Sequence, residues 1–231
     1  MAVSNNILGE FLQETRVLIG NSQTLPEISG ILNGFGYTPE RLAEGQKLLQ
    51  EAQTLILAQQ KEYGEQHEAI EETQSAWNAA DTVYTKTLKV ARMVFADDIQ
   101  AITALKLTGA RNRSLAGWLD QAVFFYGNLT TQPKLVTAMA RFGYTAEKLL
   151  TEKALVDAVV ALSQSQAKET SEALKSTVAR DAAVKRLDAW AGELRTILKI
   201  AFVDDQRSLE AVGMGAPVGG RPKKAARSLS D

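Results

Sequence analysis

The sequence predicts an all-α protein in which a tandem duplication produces two long helices, paired as an antiparallel coiled coil with a lobe of short helices at each end. Three observations predict this class. The chain has only five prolines, and its long spans without breakers are rich in residues that favour helices. A four-residue motif, FGYT at 35–38, returns at 142–145. Apolar residues also recur at a mean spacing of about 3.5 residues, as in a left-handed coiled coil.

The repeat extends well beyond this motif. The segment 95–98 (FADD) returns at 202–205 (FVDD), again 107 residues later and without a gap. An internal repeat of this kind decides the architecture before any single element does. We therefore predict two helical repeats, 1–107 and 108–214, followed by a glycine- and proline-rich basic tail at 215–231.

Two short helices are predicted before the first long one. Residues 4–20 place their apolar side chains largely on one side of a helix, with Ser4 as the N-cap and Gly20 at the end. A second helix begins at Pro26, because proline suits a first turn. It ends at Gly36, because glycine adopts a left-handed cap conformation easily.

The first long helix is predicted to begin at Thr38, whose hydroxyl caps it, with Pro39 in the first turn. Steps of three and four residues then continue without a break. The predicted seam comprises Leu42, Gly45, Leu49, Ala52, Ile56, Gln59, Tyr63, Gln66, Ile70, Thr73, Trp77, Ala80, Tyr84, Thr87, Ala91 and Val94. Its copy comprises Leu149, Val156, Val159, Thr170, Ala173, Val184, Leu187, Ala191, Leu194, Leu198 and Ala201.

An alternative is a compact helical bundle in which each long segment folds back as a hairpin, near Gly64 and near Ser171. The unbroken helix is favoured, because no glycine, proline or asparagine lies between Gly143 and Gly192. A helix from residue 39 to residue 95 would be roughly 85 Å long. The connecting residues 96–143 read as three short helices and lack an extended linker of that length, so the second long helix is expected to return antiparallel.

The lobes are expected to carry most of the apolar burial, because two helices alone bury little surface. One lobe would combine residues 4–35 with Trp190, Phe202, Leu209 and Val212. The other would combine Leu115, Trp118, Leu119, Val123, Phe124, Phe125, Leu135, Met139 and Phe142 with Trp77, Tyr84, Phe95, Ile99, Ile102 and Leu105.

Composition excludes several classes of function. A net charge of −1 provides no overall field for nucleic acid or an anionic membrane. The absence of cysteine excludes disulfides and thiolate metal sites. No secretory signal and no apolar run of membrane-spanning length is evident, so a cytoplasmic protein without a transmembrane segment is expected. No cofactor motif is present, and no cofactor is expected.

Individual polar residues favour structural roles. His67 is the single histidine, and with no second histidine it is read as a solvated or seam-edge side chain rather than as a metal ligand. The pairs Asp97/Asp98 and Asp204/Asp205 are read as caps of the helices that follow rather than as catalytic carboxylates. The three tryptophans, at positions 77, 118 and 190, are read as lobe core.

The tail supplies the candidate interaction residues. Arg221, Lys223, Lys224 and Arg227 form a basic cluster within a glycine- and proline-rich segment. Such a cluster suits an acidic protein surface, or a phosphate backbone, and its alternative is simple solvation.

The leading hypothesis is a non-enzymatic structural or scaffold protein that self-associates through its end lobes and its tail. Nearly equivalent surfaces that meet head to tail build open polymers when the rotation does not close, so a filament is one form that the homo-oligomer can take. The first alternative is an adaptor or regulatory module that binds partner helices. A third is a membrane-active helical protein.

Overall fold

The computed structural model describes residues 5–215, and every regular element within that range is an α-helix. The all-α class is confirmed. The helices are α1 (Asn5–Thr24), α2 (Pro26–Gly34), α3 (Pro39–Val94), α4 (Ile99–Ala104), α5 (Leu115–Thr131), α6 (Pro133–Ala140), α7 (Ala146–Ala201) and α8 (Gln206–Ala211). Within residues 5–215, none of these helices has an apolar stretch long enough to cross a bilayer.

The two long helices are continuous. α3 and α7 each contain 56 residues, so the alternative with hairpins near Gly64 and Ser171 is wrong. A glycine inside a helix costs only about 1 kcal/mol, and the packing of the rest of α3 outweighs that penalty. α3 and α7 begin and end 107 residues apart, as do α4 and α8. The duplication and its boundaries stay predictions from the sequence.

The ends of the helices follow the predicted chemistry, with one exception. The Thr38 hydroxyl accepts from the Arg41 backbone N–H at 3.4 Å, which caps α3, and Gly36 has a φ of 81°. The expected end of α1 at Gly20 is wrong, because α1 continues to Thr24. Leu18 and Ile19 are buried just before this glycine and Ser22 just after it, and this burial outweighs the cost of glycine within the helix.

The chain forms two compact units. Within the described residues, unit 1 comprises 5–59 and 176–215, and unit 2 comprises 60–175. Unit 1 buries α1, α2 and Val212 against the start of α3 and the end of α7. Unit 2 buries α4, α5 and α6 against the end of α3 and the start of α7. Each unit therefore has its own hydrophobic core.

The long helices pack against each other and run antiparallel within each unit. In unit 1, Arg41 pairs with Glu193 at 3.2 Å and the Arg180 guanidinium donates to Gln59 at 2.9 Å. Residues later in α3 therefore contact residues earlier in α7. In unit 2 the order is the same, because Gln66 contacts Thr170 whereas Thr87, further along α3, contacts Glu152.

The predicted seam is correct for most of its length. Leu42, Leu49, Ala80 and Ala91 are all buried. Tyr63 and Ile70 were also placed on the seam, but their side chains are exposed, whereas Gln59 and Thr73 are buried. Where no short helix covers the pair, hydrogen-bonded polar side chains occupy part of the seam, and the larger apolar groups lie outside it.

The predicted lobe core is correct for most large side chains, with three exceptions. Phe142, Val123 and Ile99 were expected inside and are exposed. α6 ends at Ala140, so Phe142 lies on the turn that follows rather than on the apolar face of the helix. Met139 is the buried residue near the end of α6.

Candidate interaction surfaces

The tail residues Arg221, Lys223, Lys224 and Arg227 lie outside the described residues, as does the proposed cap Ser4. Their predicted roles stay predictions. The remaining candidates from the sequence lie within the two units and can be placed.

The single histidine lies on the surface of α3. His67 is exposed, and the one group of possible metal-ligating side chains within residues 5–215 does not include it. That group consists of Glu62, Glu65 and Glu169, whose carboxylate oxygens lie within 4.8 Å of one another. Lys61 already pairs with Glu65 at 2.9 Å, and this contact raises the pKa of Lys61. Neighbouring lysines thus offset part of the acidic charge.

The second aspartate of each pair, Asp98 and Asp205, acts as a helix cap. Asp98 accepts the Ala101 backbone N–H at 3.0 Å, and this hydrogen bond lowers the pKa of its carboxyl. Asp205 accepts from the Ser208 hydroxyl at 2.6 Å and from its backbone N–H at 3.2 Å, which also lowers the pKa. A carboxylate that satisfies free N–H groups at a helix start is the expected arrangement. The capping prediction is confirmed for Asp98 and Asp205.

The tryptophans belong to the cores. Trp118 and Trp190 are buried, and Trp77 packs partly buried against the core of unit 2. Trp118 also has a polar contact, because its indole N–H donates to Asp81 Oδ1 at 2.7 Å. The Arg111 Nη2 donates to both oxygens of the same carboxylate, at 2.7 and 2.9 Å, and the Arg111 Nη1 contacts the Thr85 hydroxyl. Asp81 therefore holds the segment before α5 onto α3.

Unit 2 contains a buried polar cluster that the sequence analysis missed. Glu152 is 6% exposed. Its Oε2 accepts from the Thr87 hydroxyl at 2.6 Å and from the Tyr126 hydroxyl at 3.0 Å. Burial raises the pKa of Tyr126, so its phenol stays protonated and donates. The available signal was positional, since Glu152 falls on the seam register between Leu149 and Val156.

Each unit also exposes a phenylalanine at the same position of the predicted repeat. Phe35 is 43% exposed in unit 1, and Phe142 is 52% exposed in unit 2. Phe35 borders an open cleft of about 470 Å³ that includes Tyr37, Arg41, Thr196 and Ile197. The Arg41 guanidinium lies 4.3 Å from the centre of the Tyr37 ring.

The setting of Phe142 resembles that of Phe35. The Lys148 ammonium lies 3.7 Å from the centre of the Tyr144 ring, at the positions that correspond to Arg41 and Tyr37. Ile200, one turn beyond Thr196 in unit 1, and Met93, at the corresponding position in unit 2, are both exposed. We name these two regions by their phenylalanines. The Phe35 surface comprises Phe35, Tyr37, Arg41, Thr196, Ile197 and Ile200, and the Phe142 surface comprises Phe142, Tyr144, Lys148 and Met93.

The carboxylates with defined partners cap helices, form ion pairs or accept buried hydroxyl groups. A search for related proteins finds no matching family model, curated protein or solved structure. The function is therefore inferred from the surfaces and side-chain clusters of the chain itself.

Proposed function

We propose that this chain is a non-enzymatic structural protein that self-associates through the Phe35 and Phe142 surfaces. The observation that carries the proposal is the recurrence of an exposed phenylalanine, beside a cation stacked on a tyrosine, in both units. Exposed aromatic groups that cluster with other apolar side chains mark interaction sites. Two such surfaces on one chain give each molecule two contact points.

The charges at the two surfaces favour contact between unlike surfaces. Glu193 pairs with Arg41 in the Phe35 surface, whereas the residue 107 positions earlier is Lys86. The Phe35 surface thus has a paired anion and cation, whereas the corresponding positions of the Phe142 surface are both lysines, Lys86 and Lys148, and like charges disfavour the meeting of two Phe142 surfaces. We therefore propose that the Phe35 surface of one copy meets the Phe142 surface of another. Such a contact extends into an open polymer unless the rotation closes a ring.

The experiment is to measure the mass of the purified chain by light scattering over a range of concentrations, with electron microscopy of the largest species. We expect mass to grow with concentration. Phe35→Ser and Phe142→Ser should each weaken the contact by about tenfold or more, because each removes a large apolar group from the interface. Leu57→Ser is the matched control, since Leu57 is exposed on α3 away from both surfaces.

Mixing the two variants identifies the geometry. If unlike surfaces meet, each variant alone stays monomeric, but the mixture forms a dimer through the one intact pair of surfaces. If like surfaces meet, each variant alone forms a dimer, and the mixture adds nothing larger than a dimer. A wild-type chain that stays strictly monomeric at high concentration contradicts the proposal of self-association.

A further inference from the structure

An open cleft in unit 1 differs from the corresponding place in unit 2. The cleft has a volume of about 380 Å³ and lies between the start of α1 and the part of α7 near residue 185. Its lining residues are Ile7, Leu8, Phe11, Asp181, Val184, Lys185 and Asp188. It thus combines an apolar wall with two carboxylates.

The corresponding place in unit 2 is filled. The residues 107 positions from Asp188, Val184 and Phe11 are Asp81, Trp77 and Trp118. There the Arg111 Nη2 donates to both oxygens of Asp81, and the centres of the two tryptophan rings lie 6.2 Å apart. Arg111 comes from the segment just before α5. The residue 107 positions before Arg111 is Ser4, which carries no charge.

Of the two carboxylates in this cleft, Asp188 is the one available to bind a cation. Asp181 is engaged by the neighbouring Arg180, at 2.5 and 2.9 Å. Asp188 forms no ion pair within the described part of the chain, and neither does Lys185. A carboxylate beside apolar walls suits a guanidinium, which binds it bidentately and stacks on aromatic rings. The cleft therefore fits an arginine-bearing segment.

The chain has such a segment within reach. The sequence beyond residue 215 contains four basic residues and one acidic residue. Gly213 lies against Val17 of α1, since a Cβ placed on this glycine would be 3.2 Å from Val17 Cγ1. From Val17 back to Ile7 is roughly 15 Å along the helix. The six residues from Gly215 to Arg221 can span about 20 Å when extended.

We propose that the segment 221–227 docks in this cleft of the same molecule, with the Arg221 guanidinium on Asp188. This site completes in unit 1 the pair that Arg111 and Asp81 form in unit 2. The short connection gives the segment a high effective concentration at its own cleft, which favours its own molecule over a neighbour. The sequence-based hypothesis placed the tail on a neighbouring copy, and the length of the connection is the reason to revise it. The proposal does not rest on contact between the Phe35 and Phe142 surfaces.

The experiment is limited trypsin digestion of the full chain, following cleavage after Lys224. Docking protects this bond, because cleavage requires the open state and its rate follows the open population. We expect Asp188→Asn to speed cleavage by about twofold to fivefold. This is the effect expected from the loss of an ion pair that is exposed or half-buried. Asp204→Asn is the matched control, an exposed aspartate of unit 1 that does not line the cleft. The pair Asp188→Arg with Arg221→Asp should restore protection that each single substitution loses.

Dilution separates the two possible locations of the tail. Protection that persists on dilution and depends on Asp188 supports docking within one molecule. Protection that disappears on dilution places the segment on another copy and overturns the proposal. Equal cleavage of the wild type and Asp188→Asn also overturns it. Because Asp188 is exposed, the substitution should leave thermal unfolding unchanged, and this measurement confirms that the variants are folded.

Discussion

The cores of unit 1 and unit 2 differ at one position of the seam and at the residues that contact it. In unit 2, Glu152 accepts hydrogen bonds from Thr87 and Tyr126 inside the core. The residues 107 positions away are Gly45, Leu194 and Ile19 in unit 1. Leu194 and Ile19 are buried and apolar, and Gly45 leaves the space that the Trp190 ring occupies.

The comparison shows two ways to fill the same helical framework. Unit 1 combines the smallest residue with the largest, Gly45 beside Trp190. Unit 2 combines Glu152 with Val83, the residue that corresponds to Trp190. Cores tolerate such exchanges when the total volume is kept, but the polar solution also requires donors for the carboxylate. Thr87 and Tyr126 supply them, so the three residues of unit 2 depend on one another.

The largest expected effect concerns this dependence. Glu152→Ala removes the acceptor of the Tyr126 hydroxyl and leaves a cavity in the core of unit 2. We expect it to lower the free energy of unfolding by about 2–4 kcal/mol, from the unsatisfied hydroxyl and the lost packing together. Urea denaturation followed by circular dichroism measures this change.

The matched control is Glu71→Ala, on the exposed face of α3 in the same unit. It should stay within about 0.5 kcal/mol of the wild type, as surface substitutions do. Similar stabilities for the two variants would mean that the buried carboxylate contributes nothing to unit 2, and the comparison would lose its basis.

Two glycines of α3, Gly45 and Gly64, should respond to alanine substitution with changes in stability of opposite sign. Both changes are expected to be smaller than that of Glu152→Ala. Gly45→Ala places a methyl group into the Trp190 ring. The strain of overpacking, about 1–3 kcal/mol, exceeds the gain of about 1 kcal/mol from replacing a helical glycine. We therefore expect a net loss of up to about 2 kcal/mol in the free energy of unfolding, measured by urea denaturation.

Gly64→Ala is the control, because a Cβ at Gly64 meets nothing within 4 Å. It should stabilise the protein by up to about 1 kcal/mol. If Gly45→Ala stabilises the protein as Gly64→Ala does, the Trp190 ring can shift to make room for a methyl group, and its packing does not require glycine at position 45.

More of the fold than of these sites can be predicted from the sequence. The spacing of apolar residues gives α3 and α7, because a helical period is read from one segment alone. The exposure of Phe142 depends on where α6 ends, and the continuation of α1 beyond Gly20 depends on burial against other helices, neither of which a local pattern contains. The register places Glu152 on the seam, but its partner Tyr126 comes from α5. Only the packed structure brings the two together.

The smallest expected effect concerns the turn that ends α4 and α8. Lys106 has a φ of 48° and Gly213, 107 residues later, a φ of 82°. Gly213→Ala should cost about 1 kcal/mol, because a left-handed conformation disfavours any residue with a Cβ. Lys106→Ala keeps a Cβ in the same conformation and loses only the ammonium, which lies 4.0 Å from the centre of the Phe124 ring. An exposed contact of this kind is worth about 0.5 kcal/mol, so unit 1 should be the more sensitive of the two in thermal unfolding. A larger loss for Lys106→Ala would instead assign the stability of this turn to the cation and the ring rather than to the backbone.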